Sequence, residues 1–312
     1  YRGVKNTGLF GFAVVPISII VLLFFSVVGF FAIFSAPSQA QPVGELMPFG
    51  VGGILVGMAL MFLAFQGFEV VAQAGEEMKS PERNIPRAIF ISFAVILVIY
   101  LMTTTAAVWG SQGDAPSWKI LSHAGEGALL AAAVSFPLSG LLGPLVTLGG
   151  ATVALAALNA TIYSASHVFY AMARQGRSLP VEFEALHPKY GTPSLAILAS
   201  TVLMALLVTV FPINDIAAIA NLLFFFVFAQ VHMAYIQYRR KFPDAPRTFH
   251  APFYPWLSIL ALFMFVVLSV QIVNVSPWSL SFFLGWLMLG MLIHRVYVER
   301  HESGAFAHGK VV

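Results

Sequence analysis

LFGFAVVPISIIVLLFFSVVGFFAIF, residues Leu9–Phe34, runs for 26 positions without an Asp, Glu, Lys or Arg. About 20 apolar residues in a helix cross the hydrocarbon core of a bilayer, so this stretch alone reads as a membrane span. The pattern recurs along the chain. Ala88–Gly110, Gly127–Ala173 and Ala251–His294 are also free of those four residues, Val51–Gly75 holds only Glu69, and Asp215 alone separates Gly191–Asn214 from Ile216–Tyr238. Over all 312 residues, 9% are charged and 59% hydrophobic, against about 25% charged in soluble domains. That leaves too little polar surface for a soluble enzyme or binding module. The 29 Phe and 14% aromatic content also oppose the composition of disordered chains. The chain has no Cys, which removes disulfide frameworks, thiolate metal sites and cysteine nucleophiles together.

Length decides how the apolar stretches divide. Gly127–Ala173 is too long for one crossing, and Gly143-Pro144 is the expected break, with a short re-entrant or surface segment before it. Phe211-Pro212-Ile213-Asn214-Asp215 and Asn274-Val275-Ser276-Pro277 separate two further pairs. The expectation is an all-α membrane protein, one transmembrane domain over 1–312. It has eight spans, at about 9–34, 51–75, 88–110, 144–173, 192–210, 216–238, 255–273 and 277–296.

The charges between the spans orient them. If the first span runs outward, the inner segments collect 15 of the 16 Lys and Arg, in clusters that include Lys79, Arg83 and Arg87, and Arg239, Arg240 and Lys241. Only Lys119 falls outside. By the positive-inside rule both ends of this chain face the cytoplasm, in a cell (plasma or inner) membrane. The basic balance of +3 therefore serves membrane topology rather than nucleic acid, and the lipid bilayer is the partner that composition implies. At 26 residues the first stretch is too long for a signal peptide's apolar region, and no fitting cleavage site follows it.

Inside the spans, polar residues stand out. Glu69 is the one carboxylate within a span, in Ala64-Phe65-Gln66-Gly67-Phe68-Glu69. A charge at mid-membrane costs about 2.5–3.5 kcal/mol on insertion scales and so points to function; the other reading has Glu69 reaching cytoplasmic water. Gly67 lowers helix stability by about 1 kcal/mol, which suits a broken helix whose freed backbone groups bind substrate or close packing between helices. Asn159, Thr161, Ser164 and Ser166 form a polar run along the fourth span, fit for helix–helix hydrogen bonds or for lining an ion or substrate path. His167 and His232 fit either proton relay or neutral interior histidines. Enzyme chemistry finds no support: HExxH and GxSxG are absent, and no span holds a lysine for a retinal Schiff base. No cofactor or metal is expected.

Two longer motifs carry a family resemblance. AFQGFEVVAQAGEEMKSPERNIPRAI, Ala64–Ile89, resembles the sixth helix and following loop of the amino acid–polyamine–organocation (APC) transporters. SASHVFYAMARQGRSLP, Ser164–Pro180, with HPKYGTP, His187–Pro193, is similar to the end of their eighth helix and the loop after it. The opening YRGVKNTG and the run RRKFPDAPRTFHAPFYP resemble the fourth–fifth and tenth–eleventh loops. The resemblance implies the C-terminal part, helices five to twelve, of a twelve-helix LeuT-like transporter with a 5+5 inverted repeat. The first four helices would then be missing, which fits a start at Tyr1 rather than Met.

It further implies an amino acid permease working by secondary active transport and alternating access. A polyamine or organic-amine carrier is the nearest alternative, and a non-transporting nutrient sensor on the same fold is the alternative of a different class. Carried over by position, Leu63, Phe65, Gln66, Gly67 and Glu69 would contact substrate, with Gly67 at the unwinding point. Glu69 would serve inner gating, proton coupling or a cationic substrate group. Some proton-coupled members hold a lysine midway along the fifth helix in place of sodium. Here Ser18 stands near that depth, so H+ or Na+ remains open as coupling ion, with Ser18, Asn159 and Ser164 as candidate coupling residues.

Overall fold

A computed structural model describes residues 4–35, 47–73, 75, 78–111, 116–174, 179–247 and 249–307. Within the motifs quoted above, Arg2, Glu76, Glu77 and Arg177 lie outside the described residues. Among the described residues all regular structure is helical: α1 (Val4–Ser35), α2 (Gly50–Met61), α3 (Phe68–Gln73), α4 (Pro81–Gly110), α5 (Ser117–Ala124), α6 (Ala128–Ser135), α7 (Ser139–Arg174), α8 (Ser194–Val210), α9 (Ile213–Lys241), α10 (Trp256–Val275) and α11 (Pro277–Ala307), with short 3-10 turns between some of them.

Among the described residues, seven stretches are long and apolar enough to cross a membrane: Val14–Ser35, Gly50–Ala72, Pro81–Gly110, Ser139–Arg174, Ile213–Lys241, Trp256–Val275 and Pro277–Arg295. The helix in the remaining expected span, α8, has 17 residues, a length of about 25 Å. Large apolar side chains face outward along these helices, among them Phe31 and Val266, as lipid contact requires. Trp256, at the start of α10, and Trp278, in the first turn of α11, are 73% and 76% exposed, at helix ends where interfacial aromatic belts form.

One break lies elsewhere than expected. Gly143-Pro144 does not divide the long apolar stretch: Pro144 lies inside α7. The interruption is at Phe136-Pro137-Leu138. Proline disfavours the helical conformation in the residue before it, and Phe136 accordingly turns extended, at φ −88° and ψ 159°. Leu138, at φ +62°, then restarts the helix by accepting the N–H groups of Leu141 and Leu142 at 2.9 Å. At the other dense loop, Pro81 opens α4, the position where a missing N–H costs nothing, and the Ser80 carbonyl accepts from Arg83 and Asn84.

The chain divides into two compact units, 1–48 with 88–161, and 49–87 with 162–312. In the first, Phe25, Val28 and Ala32 of α1 pack with Ala106 and Ala107 of α4, Ala132 and Ala133 of α6, and Phe136. The Phe25 and Phe136 rings lie 5.1 Å apart. Ser26, fully buried, shares a 3.1 Å hydrogen bond with Thr103. Between helices in lipid, close approach at small residues supplies much of the association. Gly29 shows how close: a Cβ added there would come within 2.7 Å of Ala106 Cβ and 2.8 Å of the Phe136 ring. In the second unit, Ala59 of α2 packs with Ala218, Leu222 and Phe225 of α9 and with Leu268 and Ile272 of α10.

Gly29→Ala is therefore expected to destabilise the protein by about 1–3 kcal/mol, the cost of overpacking, measured as a lower thermal midpoint in detergent. Gly52→Ala, where an added Cβ meets nothing within 4 Å, should hold or raise the midpoint. Equal midpoints for the two variants would contradict the packing described.

Candidate functional site

The second apolar stretch folds as two helical arms and a gap. α2 ends at Met61 and Phe62–Phe65 tightens into a 3-10 turn. Gln66 then turns extended, with φ −71° and ψ 162°, Gly67 takes φ +114°, and α3 starts at Phe68. A backbone with φ near that value strains any residue with a Cβ, and glycine is what the sequence supplies. No neighbour crowds the position, since an added Cβ would meet nothing within 4 Å. The constraint is torsional alone.

A gap in a spanning helix exposes N–H and C=O groups where lipid offers no hydrogen bonds, so each needs a partner within the protein. The Gln66 N–H donates to the Leu63 carbonyl and the Val70 N–H to the Gly67 carbonyl, both at 3.2 Å. The Gly67 N–H donates to the Glu69 carboxylate at 2.8 Å. Glu69 lies in the first turn of α3 and reaches back over the gap, as the acidic residue of a capping box does. An ionised acceptor makes this one of the stronger bonds available to a backbone amide.

Side chains from α9 meet the gap from one direction. Gln66 Nε2 donates to Asn221 Oδ1 at 3.3 Å, and Asn221 Nδ2 donates to the Leu60 carbonyl at 3.4 Å. Asn221 is fully buried. Around these bonds lie phenyl rings: Phe62 against Phe225 at 4.7 Å, Phe68 stacked on Phe228 at 5.4 Å, and Phe225 stacked on Phe265 of α10 at 5.7 Å.

The residues singled out from the sequence are thus distributed unevenly. Leu63, Phe65, Gln66, Gly67 and Glu69 are all at the gap, in the second unit; Leu63 and Gly67 are exposed, and Phe65, Gln66 and Glu69 half-buried. Ser18 and Asn159 belong to the first unit and Ser164 to the second. Ser18 is buried; its hydroxyl donates to the Val14 carbonyl at 3.2 Å and lies 3.5 Å from Thr152 Oγ1. Asn159 and Ser164 are half-buried along α7. In the same polar run, Thr161 and Ser166 donate to the carbonyls of Ala157 and Tyr163 on their own helix, both at 2.8 Å. His167 packs its ring on Tyr163 at 4.2 Å, and His232 lies beside Phe265 at 5.9 Å. Sequence reasoning passed over Asn221. Its signal was present, a polar amide deep in an apolar span, but it carries no charge and its partners stand 155 and 161 residues away.

Gly67→Ala should lower the thermal midpoint by an amount equivalent to about 1–3 kcal/mol, the strain of a residue held in a sparsely populated backbone region. Gly57→Ala, on α2 where a Cβ also meets open space but φ is not positive, should not. A Gly67→Ala midpoint equal to the parent's would show that the gap closes without cost.

The amino acid permease family model matches residues 1–299. A branched-chain amino acid permease, BcaP, of Bacillus subtilis (strain 168) is 31% identical over 310 residues, 97% of this chain and 62% of the relative. A methylthioribose transporter of the same organism is 27% identical over 96% of this chain and 62% of its own. Cationic amino acid transporter 4 of Mus musculus is 30% identical over 76% of this chain and 36% of its own. The chain spans about three fifths of the length of the two Bacillus relatives. A match of that extent, in a chain whose described residues include seven membrane-length helical stretches, makes this a multi-pass membrane protein of the amino acid permease family, within the APC superfamily.

Proposed function

We propose that the chain belongs to a secondary active transporter that moves neutral amino acids with apolar side chains across the cell membrane by alternating access. The interrupted helix at Gln66–Gly67 carries this reading. Interrupted helices present backbone groups to a substrate's amino and carboxylate ends, and Leu63, Phe65, Gln66, Gly67 and Glu69 would line that place. Transport would bend the gap at Phe65–Phe68. The eight spans are α1, α2 with α3, α4, α7, α8, α9, α10 and α11, of which the second to sixth would form one five-helix repeat.

Two observations support a neutral, apolar substrate. The Glu69 carboxylate is already engaged by the Gly67 amide at 2.8 Å, and the rings of Phe62, Phe68, Phe225 and Phe228 surround the gap. The relative named as a branched-chain amino acid permease agrees with them. Glu69 would then act in gating, holding the start of α3 as the gap bends. A second reading takes Glu69 as the contact for a cationic amino acid or amine. It is favoured by the position of a half-buried carboxylate at the gap and by the relative named as a cationic amino acid transporter.

Competition in proteoliposomes containing the full-length protein separates the two. Valine or isoleucine should compete with labelled leucine uptake, and lysine or putrescine should not; the opposite pattern establishes the second reading, and no movement of any of them a sensor. On the first reading Glu69→Gln, which keeps an acceptor but loses its charge, should reduce uptake about tenfold, the order of a charge-assisted bond's advantage. It should leave the pH profile in place, because no proton is carried there. A lost pH dependence would assign coupling to Glu69 instead. Replacing external sodium by choline abolishes uptake if sodium is the driving ion and leaves it unchanged if a proton is.

The proposed orientation has both ends of this chain in the cytoplasm. With no native Cys in this chain, Lys119→Cys should react with an impermeant maleimide on intact cells, and Arg240→Cys only after permeabilisation. The reverse would invert the topology.

A further inference from the structure

The gap at Gln66–Gly67 is spanned from outside its own helix. Asn221 lies fully buried on α9, beside Ala218, Leu222 and Phe225 of the apolar core. A carboxamide in such surroundings is stable only when its donors and acceptors are used. Both of its partners belong to the interrupted helix. Nδ2 holds the Leu60 carbonyl in the last turn of α2 at 3.4 Å, and Oδ1 holds the Gln66 amide, at the gap itself, at 3.3 Å.

Seven residues along the same helix, Phe228 repeats the arrangement with rings. It meets Phe62, before the gap, at 6.1 Å and stacks on Phe68, after the gap, at 5.4 Å and 22°. Positions 221, 225 and 228 follow the i, i+4, i+7 spacing of one helix face. A single stripe of α9 therefore grips the arm before the gap, the gap residue and the arm after it.

We propose that α9 is the splint of the interrupted helix. Asn221 is a positioning residue, which fixes the angle and spacing of the gap, and Phe228 is the ring on which the two arms pivot. The stacked Phe68–Phe228 pair can slide while the Asn221 bonds hold Leu60 and Gln66 in place. The arm carrying α3 is thereby the movable one and the end of α2 the fixed one. The consequence for substrate binding rests on the transport reading above; the splint itself does not.

Hydrogen–deuterium exchange on the full-length protein in lipid nanodiscs reads the splint directly. Asn221→Leu, close in size and unable to bond, should speed exchange of the amides of residues 62–70 by about tenfold, as a locally opened segment does. Exchange in α10, Trp256–Val275, should stay unchanged. Gln66→Leu removes the same bond from the other side and should speed exchange over the same residues; it decides the matter if Asn221→Leu yields no folded protein. The double variant should exchange no faster than the faster single one. In uptake, Asn221→Leu should raise KM about tenfold with Vmax within about twofold, because fewer molecules hold the binding-competent gap. Asn221→Asp, which keeps the acceptor for Gln66, should recover part of that KM.

Unchanged exchange over 62–70 in a folded Asn221→Leu or Gln66→Leu variant overturns the proposal, and so does an equal increase in α10. A parent protein that moves no amino acid defeats the transport reading and leaves the exchange result standing. Altered exchange with unaltered KM defeats only the step from splint to substrate.

Discussion

A backbone amide released from a helix in the middle of a membrane has no water to turn to, and this requirement organises the second unit. Once Gly67 adopts φ +114°, its own N–H falls out of the helical ladder. The Glu69 carboxylate takes it. The Gln66 N–H turns back to Leu63, leaving the Gln66 side chain to reach Asn221. Asn221 in turn could not be buried among Ala218, Leu222 and Phe225 without these partners, since an unbonded amide there would cost about 1–3 kcal/mol. Each residue at the gap is thus the condition for another. The same bonds give the acidic residue of this apolar span a partner: the Glu69 carboxylate accepts the N–H that Gly67 frees.

What was legible in the sequence follows from which forces act locally. Confinement of charge to islands is a solvent effect on single residues, so the long apolar stretches and their polar connectors could be read without any tertiary information. Gly67 beside Glu69 was likewise visible as a weak point in a helix. The division of the stretch after Gly127 was harder, because two prolines competed. Pro144 drew the reading through its glycine neighbour, yet a helix tolerates it. Pro137 acts through the conformation it forces on Phe136, and Phe136 is then fixed by its ring contact with Phe25. That contact joins positions more than a hundred residues apart and leaves no trace in a local pattern.

Asn221 is the sharper case. An uncharged polar side chain in a span has several fates, from a bond within its own helix to a bond across the bundle. Thr161, Ser166 and Ser200 show the first, each donating to a carbonyl three or four residues back. The distinction comes from geometry: a hydroxyl on a short stem folds back onto its own helix, whereas a carboxamide with both donor and acceptor can bridge two points elsewhere.

The two units also differ in the kind of packing they use, and the difference bears on movement. The first unit is built on Ala32, Ala106, Ala107, Ala132 and Ala133, with Gly29 so tightly enclosed that one added carbon would collide. Surfaces of that type interlock at a single register, and the buried Ser26–Thr103 bond fixes it further. The second unit packs phenyl rings around its gap, where Phe62, Phe225, Phe228 and Phe265 meet one another both edge-on and stacked. Offset and edge-to-face ring pairs lie close in energy over a range of separations, so rings can shift without opening a cavity. On the transport reading proposed above, a carrier that bends a helix needs one region that holds register and another that tolerates displacement. In this chain the small residues supply the first and the rings around Gln66–Gly67 the second, which places the compliant packing where the backbone is already broken.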